Sequence, residues 1–123
     1  MSIDYLLELE RIISSGQEVY ACPGAQEKKW VISRSFDDVK RQAQRVASSR
    51  KQLVDIVRLI SFSDVMPGEM YLVPIGIEAP GARGEPNIRW STVESKEAAE
   101  MMRDVREGPS PFFGMQVYEQ VGS

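Results

Sequence analysis

The sequence has no histidine and only one cysteine among its 123 residues. Histidine is the commonest general base near neutral pH and the commonest transition-metal ligand, so both of those roles are excluded. Zinc sites of the Cys/His type and catalytic Ser-His-Asp or Cys-His arrangements are excluded as well. We therefore expect no catalytic residue, no metal and no cofactor, and we predict that the protein is not an enzyme.

The single cysteine, Cys22, has no partner for an intramolecular disulfide, which favours a reducing compartment. Its neighbours Ala21 and Pro23 provide no cation that would lower the pKa of the thiol. We predict that Cys22 is a small buried residue at the end of a strand and not a nucleophile.

Long hydrophobic runs are also missing, and no stretch approaches the ~20 apolar residues of a membrane-spanning helix. The apolar residues near the N-terminus are interrupted by Glu8, Glu10 and Arg11, and Asp4 stands where a signal peptide would be basic. The sequence therefore predicts a cytoplasmic protein without membrane contact.

The composition is that of a folded domain, with 42% hydrophobic and 27% charged residues. The length fits one domain, so we predict a single α+β domain over residues 1–123. An apolar stripe predicts a first helix over about 3–15 that ends at Gly16, and residues 18–21 and 29–33 are predicted to form a hairpin.

The segment after the hairpin has a long helical period. Ser35 and Asp38 form a capping-box pattern, and apolar residues then recur at intervals of three and four from Phe36 to Ile60. One helix over 36–60 is favoured, because no glycine or proline interrupts it. The alternative is two helices that join near residues 48–49.

The remaining elements are two strands, a helix and a final strand. Residues 69–78 are predicted to form a strand in which Pro74 indicates an edge position or a bulge. A strand over 87–93, a helix that begins after Ser95 and a strand over 112–121 follow. The fold class is therefore α+β, with a four- to five-stranded, mainly antiparallel sheet, two or three helices mainly on one face, and the order α-β-β-α-β-β-α-β.

A weak internal repeat appears at an offset of 60 residues. It relates a turn glycine, a strand tryptophan and a capping serine in each half: Gly24, Trp30 and Ser35 with Gly84, Trp90 and Ser95. The pattern indicates either a ββα duplication or the shared needs of any ββα unit. We expect both tryptophans to be largely buried beside hairpins.

Charge is distributed unevenly along the chain, although the net charge is only −3. Residues 1–27 carry −4, residues 28–60 carry +6 and residues 61–123 carry −5. Five basic residues fall off the apolar series of the predicted helix and are predicted to form one exposed, partner-binding surface: Lys40, Arg41, Arg45, Lys51 and Arg58.

These patterns predict a non-catalytic binding protein, such as an adaptor, an inhibitor or an accessory factor of a bacterium or its mobile elements. Its expected partner is an acidic protein, or a second copy in a homodimer. The first alternative is a nucleic-acid-binding protein that uses the basic segment 28–60, since residues 39–60 partly match a helix-turn-helix pattern. The second alternative is an enzyme that uses carboxylates alone.

Overall fold

The computed structural model describes residues 2–26, 28–78, 87–104 and 112–122. Over these ranges the chain forms three α-helices and six strands of one antiparallel sheet, so the predicted α+β class is confirmed. In chain order the elements are α1 (Ser2–Ser14), β1 (Tyr20–Pro23), β2 (Trp30–Ser33), α2 (Phe36–Arg50), β3 (Val54–Ser61), a short 3-10 helix (Phe62–Asp64), β4 (Met70–Glu78), β5 (Asn87–Val93), α3 (Lys96–Asp104) and β6 (Phe113–Val121).

The predicted helix over 36–60 is wrong, and residues 36–60 do not form two helices either. α2 begins after Ser35, whose hydroxyl accepts from the N–H of Asp38 at 3.3 Å, and it ends at Arg50. Lys51 then adopts a left-handed backbone conformation, with φ of 54°, and its N–H bonds to the carbonyl of Ala47. This cap stops the helix without glycine or proline.

β3 is the strand that the predicted order lacks, and it raises the sheet to six strands instead of four or five. Its sequence is rich in β-branched residues, which pack well on a pleated sheet. The apolar residues at intervals of three and four in this segment match a helical period, but both faces of β3 are covered, so residues on both faces are apolar.

The strand order is β2-β1-β3-β6-β4-β5, and every pairing is antiparallel. β3 and β6 form the central pair, with a bulge at Tyr118, because Ile56 lies opposite Glu119 and Val57 opposite Val117. A second bulge lies between Pro74 and Gly76 in β4, so the bulge predicted from this proline is confirmed.

The three helices divide between the two faces of the sheet. α1 places Leu6 and Leu9 in a core cluster with the side chains of one face, including Val57 and Leu59 of β3. α2 packs Val39 on the opposite face, in a separate cluster that includes Ile56. α3 lies on the same face as α2 and buries its Ala99 beside Tyr71 and Val73 of β4.

After α1, the two halves of the chain have the same order, β-β-α-β, and matching registers. In each hairpin a tyrosine and a proline of the first strand lie opposite equivalent residues of the second: Tyr20 and Pro23 opposite Ser33 and Trp30, and Tyr71 and Pro74 opposite Val93 and Trp90. In each half the helix begins after a serine cap, Ser35 or Ser95. When β1, β2 and β3 change places with β4, β5 and β6, the strand order becomes the same order read from the other end of the sheet.

The exchange corresponds to a local two-fold axis perpendicular to the sheet. The axis passes through the pair Leu59 and Met115 in the centre of the sheet. Rotation about it exchanges Val57 with Phe113 and Val117 with Ser61, so the pair on one side of Leu59 and Met115 takes the place of the pair on the other side. The axis keeps each face of the sheet on its own side, so α2 maps to α3. α1 precedes the two halves and has no counterpart among the described elements.

The sheet is strongly curled towards α1. β2 and β5 are the two terminal strands of the sheet order, yet the N–H of Trp90 in β5 donates to the carbonyl of Lys28 just before β2, at 2.9 Å. Trp30 of β2 and Ile88 and Trp90 of β5 also lie in or against the core cluster of α1, so the face that carries α1 is the concave face and the face that carries α2 and α3 is convex.

Candidate functional site

The five basic residues of the predicted partner surface do not share one helical face. Lys40, Arg41 and Arg45 lie on α2, but Lys51 is the residue that caps it and Arg58 lies on β3. The prediction of one basic helical surface through all five is wrong, because the chain changes from helix to strand between residues 51 and 54. Binding of a partner by any of these side chains stays a prediction.

Three of these cations lie next to acidic groups of the same chain. Lys40 Nζ is 3.0 Å from a carboxylate oxygen of Glu119, and Arg41 is 3.3 Å from Asp38. Arg58 lies 3.6 Å from Glu18 and also donates to Gln116 at 2.9 Å. The helix-turn-helix pattern is wrong as well, since its second helix would occupy residues of β3. The geometry thus gives the basic segment less free positive charge than the sequence predicts.

Cys22 is buried in β1, as predicted. Its Sγ lies 3.7 Å from the carbonyl of Val39, and burial raises the pKa of the thiol to about 11. A thiol with this pKa is almost entirely protonated near neutral pH, so it is a poor nucleophile.

The described part of the chain has neither a metal-binding cluster nor a membrane-spanning helix. No group of three or more Cys, Asp or Glu side chains there is arranged to hold a metal ion. None of the helices in the described ranges is long and apolar enough to cross a membrane.

A cleft of about 580 Å³ opens on the concave face, beside the end of the central strand pair. Its floor is formed by β3 and β6, through Val57, Met115 and Val117. Trp30 of β2 stands on one side, and Met70 of β4 on the other. Binding sites for ligands commonly have volumes of ~300–1,000 Å³ and mainly apolar linings, so both the size and the chemistry fit a binding site.

Two aliphatic side chains of the cleft are unusually exposed. Leu53 is 64% exposed and Val117 is 61% exposed, although both are large and apolar. Trp30 and Met70 are only partly buried. Single exposed apolar residues are common, but a contiguous apolar surface around a cleft indicates a contact site.

Polar residues at the rim are held in place by their own chain. Arg50 donates to the carbonyl of Gly24 at 2.9 Å. Asp55 accepts from Gln120 at 2.7 Å, whereas Glu69 accepts from the side-chain amide of Gln116 at 3.2 Å and from a backbone N–H at 3.0 Å. The rim is therefore largely ordered before any partner binds, which lowers the entropic cost of association.

Sequence reasoning missed this cleft. It placed Leu53 and Val57 inside a helix. The burial predicted for Trp30 is confirmed in part, because Trp30 is partly buried and packs against the core cluster that contains Leu6 and Leu9. The cleft brings together residues from all six strands of the described sheet and the end of α2, and strand order and register are set by contacts far apart in sequence. The one local signal was the run Val54–Val57, whose β-branched residues favour a strand.

Comparisons of the chain with protein-family models, with curated proteins and with solved structures found no significant match. The functional interpretation therefore rests on the geometry of the cleft.

Proposed function

We propose that this chain is a non-catalytic binding protein that holds a protein partner in the cleft of its concave face. The observation that supports this most strongly is the exposed apolar lining, above all Leu53 and Val117. Folding alone does not require these side chains to be apolar, because most of each faces solvent. Burial of apolar area contributes roughly 25 cal/mol per Å², so such a surface favours a partner that covers it.

The partner is proposed to be acidic because the basic segment of the chain ends beside the cleft, although Asp55 and Glu69 also belong to the lining. Arg50 lines the rim, and Lys51 follows it at the exposed end of α2. The +6 segment of the sequence therefore reaches the lining of the cleft through Arg50, although most of α2 lies on the other face of the sheet. Lys40, Arg41, Arg45 and Arg58 are proposed as secondary contacts that raise the rate of encounter with a negative partner.

A protein partner fits these features better than a nucleic acid. Binding of a phosphate backbone needs several free cations along one surface, whereas Lys40, Arg41 and Arg58 each lie beside an acidic group. The apolar part of the cleft lining has one indole and otherwise non-aromatic side chains, so it offers no row of aromatic rings on which bases could stack.

The proposed role is that of an adaptor, an inhibitor or an accessory factor in the cytoplasm of a bacterium or one of its mobile elements. The matched registers and capping serines of the two halves support an origin by duplication of a β-β-α-β unit. Residues 81–84, which include the repeat glycine Gly84, lie outside the described residues.

The test is a quantitative pull-down from the native host with four baits. These are the wild-type chain, the double variant Leu53→Asp/Val117→Glu in the cleft, Met101→Glu, and Arg41→Glu/Arg45→Glu on α2. Met101 is 70% exposed on α3, away from the cleft, so its variant is the matched control for a new charge at an exposed apolar position. All four proteins are first shown to be folded by circular dichroism.

A cleft partner is retained by the wild type and by the Met101 variant, and it is lost from the Leu53/Val117 variant. The proposal is contradicted if every protein retained by the wild type is retained equally by the three variants. A partner lost only from the Arg41/Arg45 variant would move the site to α2.

A further inference from the structure

The cleft and α1 occupy equivalent positions on the concave face. The two-fold axis through Leu59 and Met115 maps the cleft onto the half of the concave face that is packed in the core with α1. Residues of the cleft therefore have counterparts in that core: Trp30 with Trp90, Met70 with Val19, Thr92 with Ile32, and Val57 with Phe113.

Three of these four pairs differ in burial, whereas Val57 on the floor of the cleft is 4% exposed and as buried as its counterpart Phe113. Trp90, Val19 and Phe113 are at most 2% exposed in the cluster that contains Leu6 and Leu9 of α1. On the side of the cleft, Trp30 and Met70 are partly exposed, Thr92 is exposed, and no residue of α1 lines the cleft. One half of a nearly symmetric face is thus filled by a helix, and the other half is open.

α1 shows which kind of segment fits such a half-face. It buries Leu6 and Leu9, with Ile12 and Ile13 partly buried beside them, which is the spacing of an amphipathic helix. Its exposed side carries charged residues, including Glu8, Glu10 and Arg11. The C-terminal part of α1 lies beside Ser61 and Phe113, and these are the counterparts of Val117 and Val57 in the cleft.

We propose that the cleft binds an amphipathic α-helix of a protein partner, with an apolar stripe facing Val57, Met115 and Val117 and an acidic polar face. This inference rests on the proposed function and names the ligand of the same site. The acidic face follows from the proposed acidic partner: Arg50 lines the cleft and Lys51 follows it at the exposed end of α2, and both would pair with acidic groups, while Asp55 and Glu69 of the same lining are held by their own hydrogen bonds. A helix of about three turns, which is ~16 Å long, would place two or three apolar residues on the floor.

A second copy of the chain is a poorer occupant. Its α1 is already packed on its own concave face through Leu6 and Leu9. The exposed side of its α2 carries Lys40, Arg41 and Arg45, and these would meet Arg50 and Lys51 with like charge. The partner is therefore a different protein.

The probe is a fluorescein-labelled 14-residue peptide of Leu, Glu, Ala and Gln, with Leu at positions i, i+3, i+4 and i+7 and Glu on the opposite side. A second peptide has the same composition in an order without an apolar stripe, and a third has Lys in place of Glu. Each is titrated with the full-length protein, and the anisotropy of the dye is measured. We expect saturable binding of the first peptide and at least tenfold weaker binding of the other two.

Protein variants locate the peptide. Leu53→Asp/Val117→Glu should weaken binding of the first peptide at least tenfold, because carboxylates would replace apolar contacts, whereas Met101→Glu should leave it unchanged. The peptides contain no tryptophan, so a blue shift of protein fluorescence that is absent in Trp30→Phe reports burial of Trp30 in the complex.

The remaining outcomes overturn the inference. They are no saturable binding of the first peptide, equal binding of all three peptides, or equal binding by the Leu53/Val117 and Met101 variants. A dimer of the wild type in sedimentation that the Leu53/Val117 variant abolishes would assign the cleft to a second copy. If none of the peptides binds but the pull-down finds a partner whose binding requires Leu53 and Val117, the proposed function stands and the inference of a helical ligand is wrong.

Discussion

Trp30 and Trp90 occupy equivalent positions in the two β-β-α-β halves, each opposite a proline of the neighbouring strand. Their surroundings differ, because Trp90 is only 2% exposed within the core that includes α1, whereas Trp30 packs against the edge of that core, is only partly buried and lines the cleft. The two equivalent indoles therefore differ in how much of the side chain is left open to the cleft.

Trp90→Ala should therefore destabilise the protein much more than Trp30→Ala. Truncation of a fully buried tryptophan typically costs ~3–5 kcal/mol, and Trp30 buries less of its side chain. Urea denaturation followed by far-ultraviolet circular dichroism measures both free energies of unfolding. Equal losses for the two variants would contradict the assignment of Trp30 to a binding surface.

Gly114→Ala should destabilise the fold by ~1–3 kcal/mol, a typical cost of overpacking. A Cβ at this position would overlap Val65 and would lie 2.8 Å from Cγ1 of Ile60. Gly122→Ala is the matched control, since its Cβ would meet only the end of the exposed Leu53 side chain, at 3.1 Å. Thermal denaturation compares them, and the double variant Gly114→Ala/Val65→Ala should recover part of the loss.

The Cys22 thiol should make stability depend on pH in the alkaline range. Burial raises its pKa from the ordinary 9.0 to about 11 in the folded chain. The unfolded chain thus loses this proton first, and the stabilising contribution present below pH 9 is lost as the pH rises from 9 to 11. Denaturation series across this range should show a smaller decline for Cys22→Ala than for the wild type.

The same burial should keep the native thiol unreactive. At pH 8 a thiol reagent such as dithionitrobenzoate should label the folded wild type far more slowly than the urea-unfolded chain, because access and ionisation are both restricted. Equal labelling rates would contradict the buried position. Cys22→Ser should retain partner binding when it remains folded, since the side chain lies outside the cleft.

Charge reversal should separate the rim of the cleft from the outer face of α2. Lys51→Glu should weaken binding of the acidic peptide several-fold at low salt, and the effect should shrink as ionic strength rises, because the Debye length falls to about 8 Å at 0.15 M. Arg41→Glu/Arg45→Glu should have a smaller effect on the equilibrium. Anisotropy titrations at low and high salt compare the variants, and a larger loss in the Arg41/Arg45 variant would place the contact on α2.

Local features of this fold could be predicted from the sequence. Ser35 and Ser95 cap helices through their hydroxyls, and Gly16 and Gly68 take positive φ values after a helix and in a turn. Each of these depends on a few neighbouring residues, so the sequence pattern contains the whole cause. Pro74 likewise indicates a bulge, since proline lacks the N–H that a regular ladder needs.

β3 could not be recognised, because its apolar residues satisfy a helical period and a buried strand at once. Its strand form is decided by the pairing with β6, which lies about 60 residues away in the chain. The prediction that all five basic residues share one helical face was wrong for the same reason. It assigned Lys51 and Arg58 to a helix that ends at Arg50. The cleft depends in addition on the curl of the sheet, which no single segment encodes.

The hydrogen bond from Trp90 to Lys28 connects β5 with the residues just before β2, and β5 and β2 are the two terminal strands of the sheet. Open sheets offer unpaired N–H and C=O groups at both ends of their strand order, and these groups template strand addition and fibril growth. Here one donor and one acceptor of the two ends already bond to each other, so a strand of another molecule would have to break this hydrogen bond to pair at that point.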